Sequence, residues 1–336
     1  DEEQLMIALR QFKQLNVLRV AAADIMGALP LMVVSDYLTY IAETIVEYVV
    51  DYSWQILTAK HGFPAAASEK ANGFAVIGFG KFGGIELGYG SDLDMVFLYD
   101  AEDGNAMTNG DKPISCVQFF GRLGQKIRHI LDTKMLSGIL YEVDLRLRPS
   151  GNSGLLVTHI KSYEGYLRNE AWTWEHQALV RGRFIAGDKN LQQQYEAIRH
   201  RILSLSREHE KLKTEVRDMR EKMREVLATK EAGRFDLKQS KGGIADIEFI
   251  VQFGILDQSA TYPDLTTYSD NIRQIESLAA HGFFTAEQAK ALKAAYCHYR
   301  DVGHREVLQG HKAIADESEF AQQREFVEKL WADVMG

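Results

Sequence analysis

The feature that most constrains the fold of this chain is a run of glycines set between two short apolar stretches. Residues 74–77 read Phe-Ala-Val-Ile, and the glycines follow as Gly78-Phe-Gly80-Lys81-Phe-Gly83-Gly84. After Gly88, Gly90 and the tetrad Ser91-Asp92-Leu93-Asp94 comes a second apolar run, Met-Val-Phe-Leu at 95–98. Each apolar run has the length of a buried strand and is too short for a helix. Glycines between them let backbone N–H groups come close to an anion. Read literally, Gly78, Gly80 and Gly83 satisfy G-x-G-x-x-G. A dinucleotide-binding fold would then need a full crossover helix, a second strand and an acidic residue about 20 positions on. Gly88 and Gly90 cut such a helix short and the second apolar run begins too soon, so the dinucleotide reading is the weaker one.

Asp92 and Asp94 stand at i and i+2 on the entry to a strand and therefore project to the same face. Two carboxylates so close repel one another unless a divalent cation takes oxygen ligands from both. Magnesium accompanying a nucleoside triphosphate is the natural partner; for the pair alone, capping or solvation of a strand entry competes. Further on, residues 139–149 alternate so that Glu142, Asp144, Arg146 and Arg148 share one strand face and Tyr141, Val143, Leu145 and Leu147 the other. If this strand lies beside the one carrying Asp92 and Asp94, Asp144 completes a cluster of three carboxylates able to hold two metal ions, and the arginines face a triphosphate. A ladder of ion pairs on a solvated sheet face is the alternative.

Gly80-Lys81 followed by Ser91-Asp-x-Asp and a third aspartate on a later strand resembles the nucleotidyltransferase superfamily typified by DNA polymerase beta. More narrowly, residues 80–94, 141–151, 170–181 and 242–249 are similar in sequence and order to glutamine synthetase adenylyltransferases, a likeness running from about residue 9 to about residue 310. That family carries two homologous halves, one attaching AMP to glutamine synthetase and one removing it by phosphorolysis. Trp172-Thr-Trp174-Glu175-His-Gln-Ala and the form Ser-Asp-Leu-Asp resemble the C-terminal, adenylylating half.

The resemblance implies metal-dependent transfer of AMP from ATP to a tyrosine hydroxyl of glutamine synthetase, regulating nitrogen assimilation. Asp92, Asp94 and Asp144 would be the catalytic carboxylates and the ligands of two Mg2+ ions, with Mn2+ as substitute, and Asp144 would also accept the tyrosine proton. Gly80, Lys81, Gly83, Ser91, Arg146 and Arg148 would hold the nucleotide. Lys81 stands where the superfamily commonly has serine, replacing a hydroxyl contact by an ammonium. Removal of AMP, or an ATP-binding regulatory module without turnover, are the alternatives. A nitrogen-signalling regulatory protein is the further partner the family implies.

The expected fold class is α+β, a mixed-sheet, polymerase-beta-like domain over 69–190 between a helical segment, 1–68, and a helical C-terminal domain, 191–336. Leu5, Leu9 and Phe12 open the first helix; Leu38, Ile41, Ile45 and Val49 line a second, with Ser35 as its N-cap. A helix is expected at 115–134. Leu212, Val216, Met219, Met223 and Leu227 mark another within the mixed-charge run 207–231, whose alternating signs read as a solvated helix. Thr285 and Gln288 form a capping-box pattern for a helix through Leu308, and a last helix fills about the final 18 residues. With 46% hydrophobic residues the chain can bury a sizeable core, and its net charge of −8 argues against wrapping on nucleic acid. Cys116 and Cys297 suggest neither disulfide nor thiolate metal site, no apolar run reaches about 18 residues, and the start is acidic, so a soluble, cytoplasmic protein without membrane partner is expected. Glu175 and Arg181, and likewise Lys238, Asp246 and Glu248, have structural and functional readings of equal standing. His298, His304 and His311 suit no compact metal site.

Overall fold

In the computed structural model the described residues are 2–65, 67–68, 71–227 and 233–336. Asp1 of the acidic start, the boundary expected at residue 69, and the end of the charge run at 228–231 lie outside them. The chain divides into two compact units, one of Asp1–Leu87, Ser91–Ala171 and Arg181–Arg199, the other of Gly88–Gly90, Trp172–Val180 and His200–Gly336.

The first unit holds a mixed five-stranded sheet, so the chain is α+β as expected. Its strands are β1 (Phe74–Gly78), β2 (Leu93–Tyr99), β3 (Val143–Asp144), β4 (Val157–His159) and β5 (Arg183–Gly187). Strand β1 runs antiparallel between β2 and β5, while β3 and β4 each pair parallel with β2, β3 at its beginning and β4 at its end. The antiparallel β1–β2 pair removes the dinucleotide-binding crossover, which requires parallel strands. Every residue of β1 is buried, as is every residue of β2 except half-buried Asp94. Such continuous apolar runs belong to central strands covered on both faces.

Helices α1 (Glu2–Ile25) and α2 (Leu31–His61) pack on each other, and α2 packs on α4 (Cys116–Asp132) and β5. The expected N-terminal helical layer therefore shares a unit with the sheet. Ser35 is not the N-cap of α2: the helix starts directly after Pro30, with the Val34 N–H already bonded to the Pro30 carbonyl at 3.1 Å, and Ser35 is buried inside it. Proline fixes the extended-to-helical switch that a capping side chain would otherwise favour. Ser115 does cap α4, accepting from the Gln118 N–H at 3.3 Å. Between β1 and β2 lies one four-residue turn of helix, α3 (Gly80–Gly83); after β4 comes α5 (Ile160–Asn169).

The strand expected over 139–148 is reduced to the two residues of β3. The Asp144 carboxylate accepts the Arg146 N–H at 2.8 Å and the Leu145 carbonyl accepts the Arg148 N–H at 3.4 Å, so the chain turns directly after Asp144. A short acidic side chain that bonds the backbone two residues ahead competes with the sheet ladder.

The second unit contains α6 (Thr173–Val180), α8 (His209–Leu227), α9 (Ile244–Gln258), α10 (Asn271–Ala280), α11 (Ala286–Leu308) and α12 (Ala321–Met335), with a small ribbon of β6 (Arg234–Asp236) and β7 (Ile314–Asp316); α7 (Lys189–Leu203) begins in the first unit. Leu212 and Val216 of α8 are buried, whereas Leu227 is exposed. The capping box of α11 is formed, with Thr285 and Gln288 bonded reciprocally at 2.9 and 3.1 Å. Asp246 is fully buried and accepts from Arg220 at 2.6 Å, Arg224 at 3.0 Å and the Gly242 N–H at 2.7 Å, which explains an acid at that position by packing. Lys238 is exposed. His304 is buried edge-on to Tyr89 at 5.5 Å. Among the described residues no helix is long and apolar enough to cross a membrane.

Candidate metal and nucleotide site

The glycine run folds back onto the start of β2. Phe79 donates its N–H to the Asp94 carbonyl at 2.9 Å, and Gly80 follows with φ +53°, a conformation L side chains avoid. A Cβ at Gly80 would stand 2.5 Å from Asp94 Oδ2, so this glycine is the floor on which the carboxylate rests. Gly83 has a different role from the one expected. Its N–H donates to the Phe79 carbonyl at 2.8 Å, within the α3 turn, and a Cβ there would lie 2.0 Å from the Arg181 carbonyl oxygen. Gly83 thus permits close packing and its N–H is not turned toward a phosphate. Gly84 lies under the Arg181 guanidinium, at 2.4 Å from Nη2 to a would-be Cβ.

Arg181 is paired with Glu86, and both side chains are buried, at 4% and 0% exposure. The pair ties the glycine segment to the chain just ahead of β5. A buried carboxylate and guanidinium remain charged only when matched, so this contact sets how the glycine run sits. Glu175, by contrast, accepts the Trp172 N–H at 2.9 Å and serves the start of α6.

On the other side of β2 the parallel pairing with β3 sets Asp94 opposite Asp144, with Leu93 opposite Val143, and Leu93 donates its N–H to the Glu142 carbonyl at 2.9 Å. Asp92, Asp94 and Asp144 are thereby collected: each offers a carboxylate oxygen, and these lie within 4.8 Å of one another. They form the one group of three or more acidic, histidine or cysteine side chains with such spacing among the described residues. Three hard oxygen donors in mutual reach, at the edge of a rigid strand, fit a hard divalent cation such as Mg2+.

A cleft of about 380 Å³ opens beside them, lined by the acidic residues Asp92, Glu142 and Asp144 and the basic residues Arg128, Arg146 and Arg148, with Asn152. Arg146 Nε lies 3.0 and 2.8 Å from the two Asp144 oxygens, and its Nη2 also donates to Oδ2. This grip holds the Asp144 carboxyl below its usual range, more than burial raises it. Arg146 is itself held more basic by Asp144 and, beyond it, by Asp94 and Asp92. Arg148 donates to the Leu145 carbonyl at 2.8 Å and to those of Asn152 and Gly154 at 3.3 and 3.4 Å, so it organises the turn after β3. Burial and then the nearby Arg128 charge make Arg148 less basic than usual.

Asp92, Asp94, Asp144, Arg146 and Arg148 are therefore brought together, with Gly80 against Asp94. Lys81, in α3, and Ser91, immediately before Asp92, are half-buried on the chain flanking the triad and do not line the cleft. Sequence reasoning passed over Arg128 because a cation near the C-terminus of a helix is ordinary, and it pairs with Asp132 at 3.1 Å in that ordinary way.

A sequence profile of the glutamate-ammonia ligase adenylyltransferase family matches residues 1–198, and one described as GlnD PII-uridylyltransferase matches residues 210–328. A bifunctional glutamine synthetase adenylyltransferase/adenylyl-removing enzyme of Methylococcus capsulatus is 51% identical over 338 residues, covering 100% of this chain and 36% of the relative. Proteins of the same description from Thioalkalivibrio sulfidiphilus and Nitrosococcus oceani are each 51% identical over 338 residues, covering 100% of this chain and 35% of the relative. The chain thus spans about a third of the length of the curated relatives it matches.

Proposed function

The chain belongs to the glutamate-ammonia ligase adenylyltransferase family, and from that premise we propose that it transfers AMP from ATP to a tyrosine hydroxyl of glutamine synthetase. The observation that carries this reading is the register of β2 against β3, which gathers Asp92, Asp94 and Asp144 beside a cleft lined by three arginines. A cleft lined by both carboxylates and guanidinium groups suits a metal-bound triphosphate, and the mixed sheet is compatible with a polymerase-beta-like domain.

In the reaction the tyrosine oxygen attacks the α-phosphorus. A P–O bond to tyrosine forms, the bond between the α-phosphorus and the bridging oxygen to the β-phosphate breaks, and pyrophosphate leaves. Asp92, Asp94 and Asp144 would hold Mg2+, which supplies neutralisation of the phosphate oxygens and favours the phenolate. Arg146, Arg148 and Arg128 would offset charge on the β- and γ-phosphates and on pyrophosphate, whereas Lys81 and Ser91, which do not line that cleft, would act only from the flanking chain. A phenol of pKa about 10 needs a proton acceptor at neutral pH. Asp144 can serve only once Arg146 lets go of it, since a carboxylate gripped through both oxygens is a weak base. We assign Arg146 two partners: Asp144 before the nucleotide arrives and a phosphate afterwards.

The motif around Trp172–Glu175 and the form Ser-Asp-Leu-Asp support the adenylylating half over the removing one. A nitrogen-signalling regulatory protein would act on the full-length enzyme in the cytoplasm. The test is incubation of this chain with Mg2+, ATP and unmodified glutamine synthetase, reading one added AMP on a tyrosine by mass spectrometry. Transfer should vanish in Asp92→Ala and Asp94→Ala and on chelation of the metal. Phosphate-dependent release of AMP from modified glutamine synthetase, without transfer, would assign the chain to the reverse reaction. ATP binding with neither activity would make it a sensor.

A further inference from the structure

Strand β3 delivers Asp144 to the site on two registered residue pairs, a short ladder to hold a catalytic carboxylate in place. The segment from 133 to 140 that leads into it makes few backbone bonds of its own: Met135 and Gly138 exchange bonds at 3.1 and 3.0 Å, and Tyr141 donates to the Leu131 carbonyl at 2.9 Å. Four of its carbonyls accept from one face of α1, that of Gly138 in addition to its bond from Met135. Arg10 donates to Gly138 at 2.9 Å and Thr133 at 2.5 Å, Lys13 to Leu140 at 2.5 Å, and Gln14 to Ser137 at 3.4 Å. The Lys13 ammonium also stands 3.7 Å over the Tyr141 ring, whose residue is buried.

Arg10 is buried to 1% exposure, and its third contact is the Met6 carbonyl of its own helix at 2.8 Å. No carboxylate is among these partners. A helix that merely covered the sheet would present apolar side chains here, because an unpaired buried guanidinium carries a large desolvation cost. Cations matched to backbone carbonyls instead fix the path of a segment without constraining its side chains. Leu140 stands only four positions before Asp144 and three before the start of β3, so a displacement at Leu140 passes to the carboxylate.

We propose that Lys13 and Arg10 of α1 are positioning residues for Asp144, clamping the segment that feeds β3 so that the third carboxylate meets Asp92 and Asp94. The inference rests on reading the three aspartates as a metal site. A group that orients a metal ligand from behind commonly changes metal affinity by about 10- to 100-fold when removed, and geometry must hold to within about 0.5 Å.

The experiment titrates this chain with Mn2+ alone, counting free ion by electron paramagnetic resonance, and follows backbone amide exchange over 133–144 in the same samples. Wild type, Asp92→Asn, Lys13→Met and Lys13→Arg are compared, with melting curves for each. The expected result is Mn2+ binding weakened about tenfold in Lys13→Met, faster exchange confined to 133–144, and both restored in Lys13→Arg. Should Lys13→Met not fold, Lys13→Gln, whose amide is too short to reach Leu140, carries the same comparison. Mn2+ affinity within about twofold of wild type in a folded Lys13 variant, with exchange unchanged, overturns the clamp. A wild-type chain that binds no Mn2+, or binds it equally in Asp92→Asn, overturns the metal reading and the clamp with it.

Discussion

Arg146 reaches back two residues to grip Asp144 through both carboxylate oxygens, with Nε at 3.0 and 2.8 Å, while 73% of its side chain remains exposed. The carboxylate is thus charged but occupied, and the cation that occupies it is free to turn toward a phosphate. Removing the arginine separates the two roles. Arg146→Ala should bind Mn2+ without nucleotide up to about fivefold more tightly, because an exposed pair of this kind is worth no more than about 1 kcal/mol. The same variant should raise the KM for ATP roughly tenfold through loss of a charge-assisted phosphate contact. Asp144 is held below its usual range mainly by Arg146. Without that partner its carboxyl protonates at a higher pH, so loss of Mn2+ binding on acidification should begin earlier in the variant. A variant whose Mn2+ and ATP affinities fall together would show that Arg146 only builds the turn.

Gly80 combines φ +53° with a Cβ position 2.5 Å from Asp94 Oδ2. Gly80→Ala must therefore push the carboxylate aside and strain the backbone, at a cost of roughly 1–3 kcal/mol. Mn2+ affinity and AMP transfer should fall by about 100-fold or more while the chain still melts cooperatively, since a misplacement near 1 Å has that effect on a catalytic constellation. Gly282→Ala is the control: its φ is +80° but a Cβ there meets nothing within 4 Å, so stability alone should change.

The central strands, the glycine run and the capping box of α11 were legible because each rests on local pattern: apolar runs, turn chemistry and cap spacing. The convergence of Asp92, Asp94 and Asp144 was posed only on the condition that the later strand lie beside β2, a non-local pairing that the structure contains. The extent of β3 was not, because alternation at 139–148 mimics a strand whereas Asp144 captures the Arg146 N–H and ends it. Ser35 misled because Pro30 starts α2 first. Gly83 read as a phosphate contact, yet its reason is close packing against the Arg181 carbonyl, far along the chain. Strands β4 and β5 are only three and five residues long and so carry little periodic signal. Arg128 and the α1 clamp depend on tertiary placement that no single segment encodes.

Lys13 offers a stability test in alkali. Burial first, and then the Arg10 charge, bring its ammonium from 10.5 down to about 8. The folded state therefore releases this proton before the unfolded chain does, so its contribution to stability is absent below about pH 8 and grows as pH rises toward 10.5. The rise is cut off near pH 10, where buried Tyr141, Tyr195 and Tyr299, all raised by burial, begin to favour the unfolded state. Between about pH 8 and pH 10 the free energy of unfolding, from urea titrations, should increase in wild type and stay flatter in Lys13→Met. Equal slopes in the two proteins would mean that Lys13 ionises as an ordinary surface lysine.

Glu86 and Arg181 form a buried ion pair that joins the glycine segment to the chain just ahead of β5. Removing one partner takes a close opposite charge from a buried ion, and Glu86→Gln or Arg181→Met should each cost about 3–5 kcal/mol by urea unfolding. Replacing both, as Glu86→Leu with Arg181→Met, removes the desolvation penalty together with the attraction and should recover most of that stability. Activity should not return with it. Gly84 lies directly under the guanidinium and Gly83 against the Arg181 carbonyl, so the pair fixes the path of the segment that supports Asp94, and an apolar replacement lacks that directionality. A double variant that regains both stability and AMP transfer would reduce the pair to filling space; one that regains only stability would establish it as the support on which the metal-binding face of β2 is set.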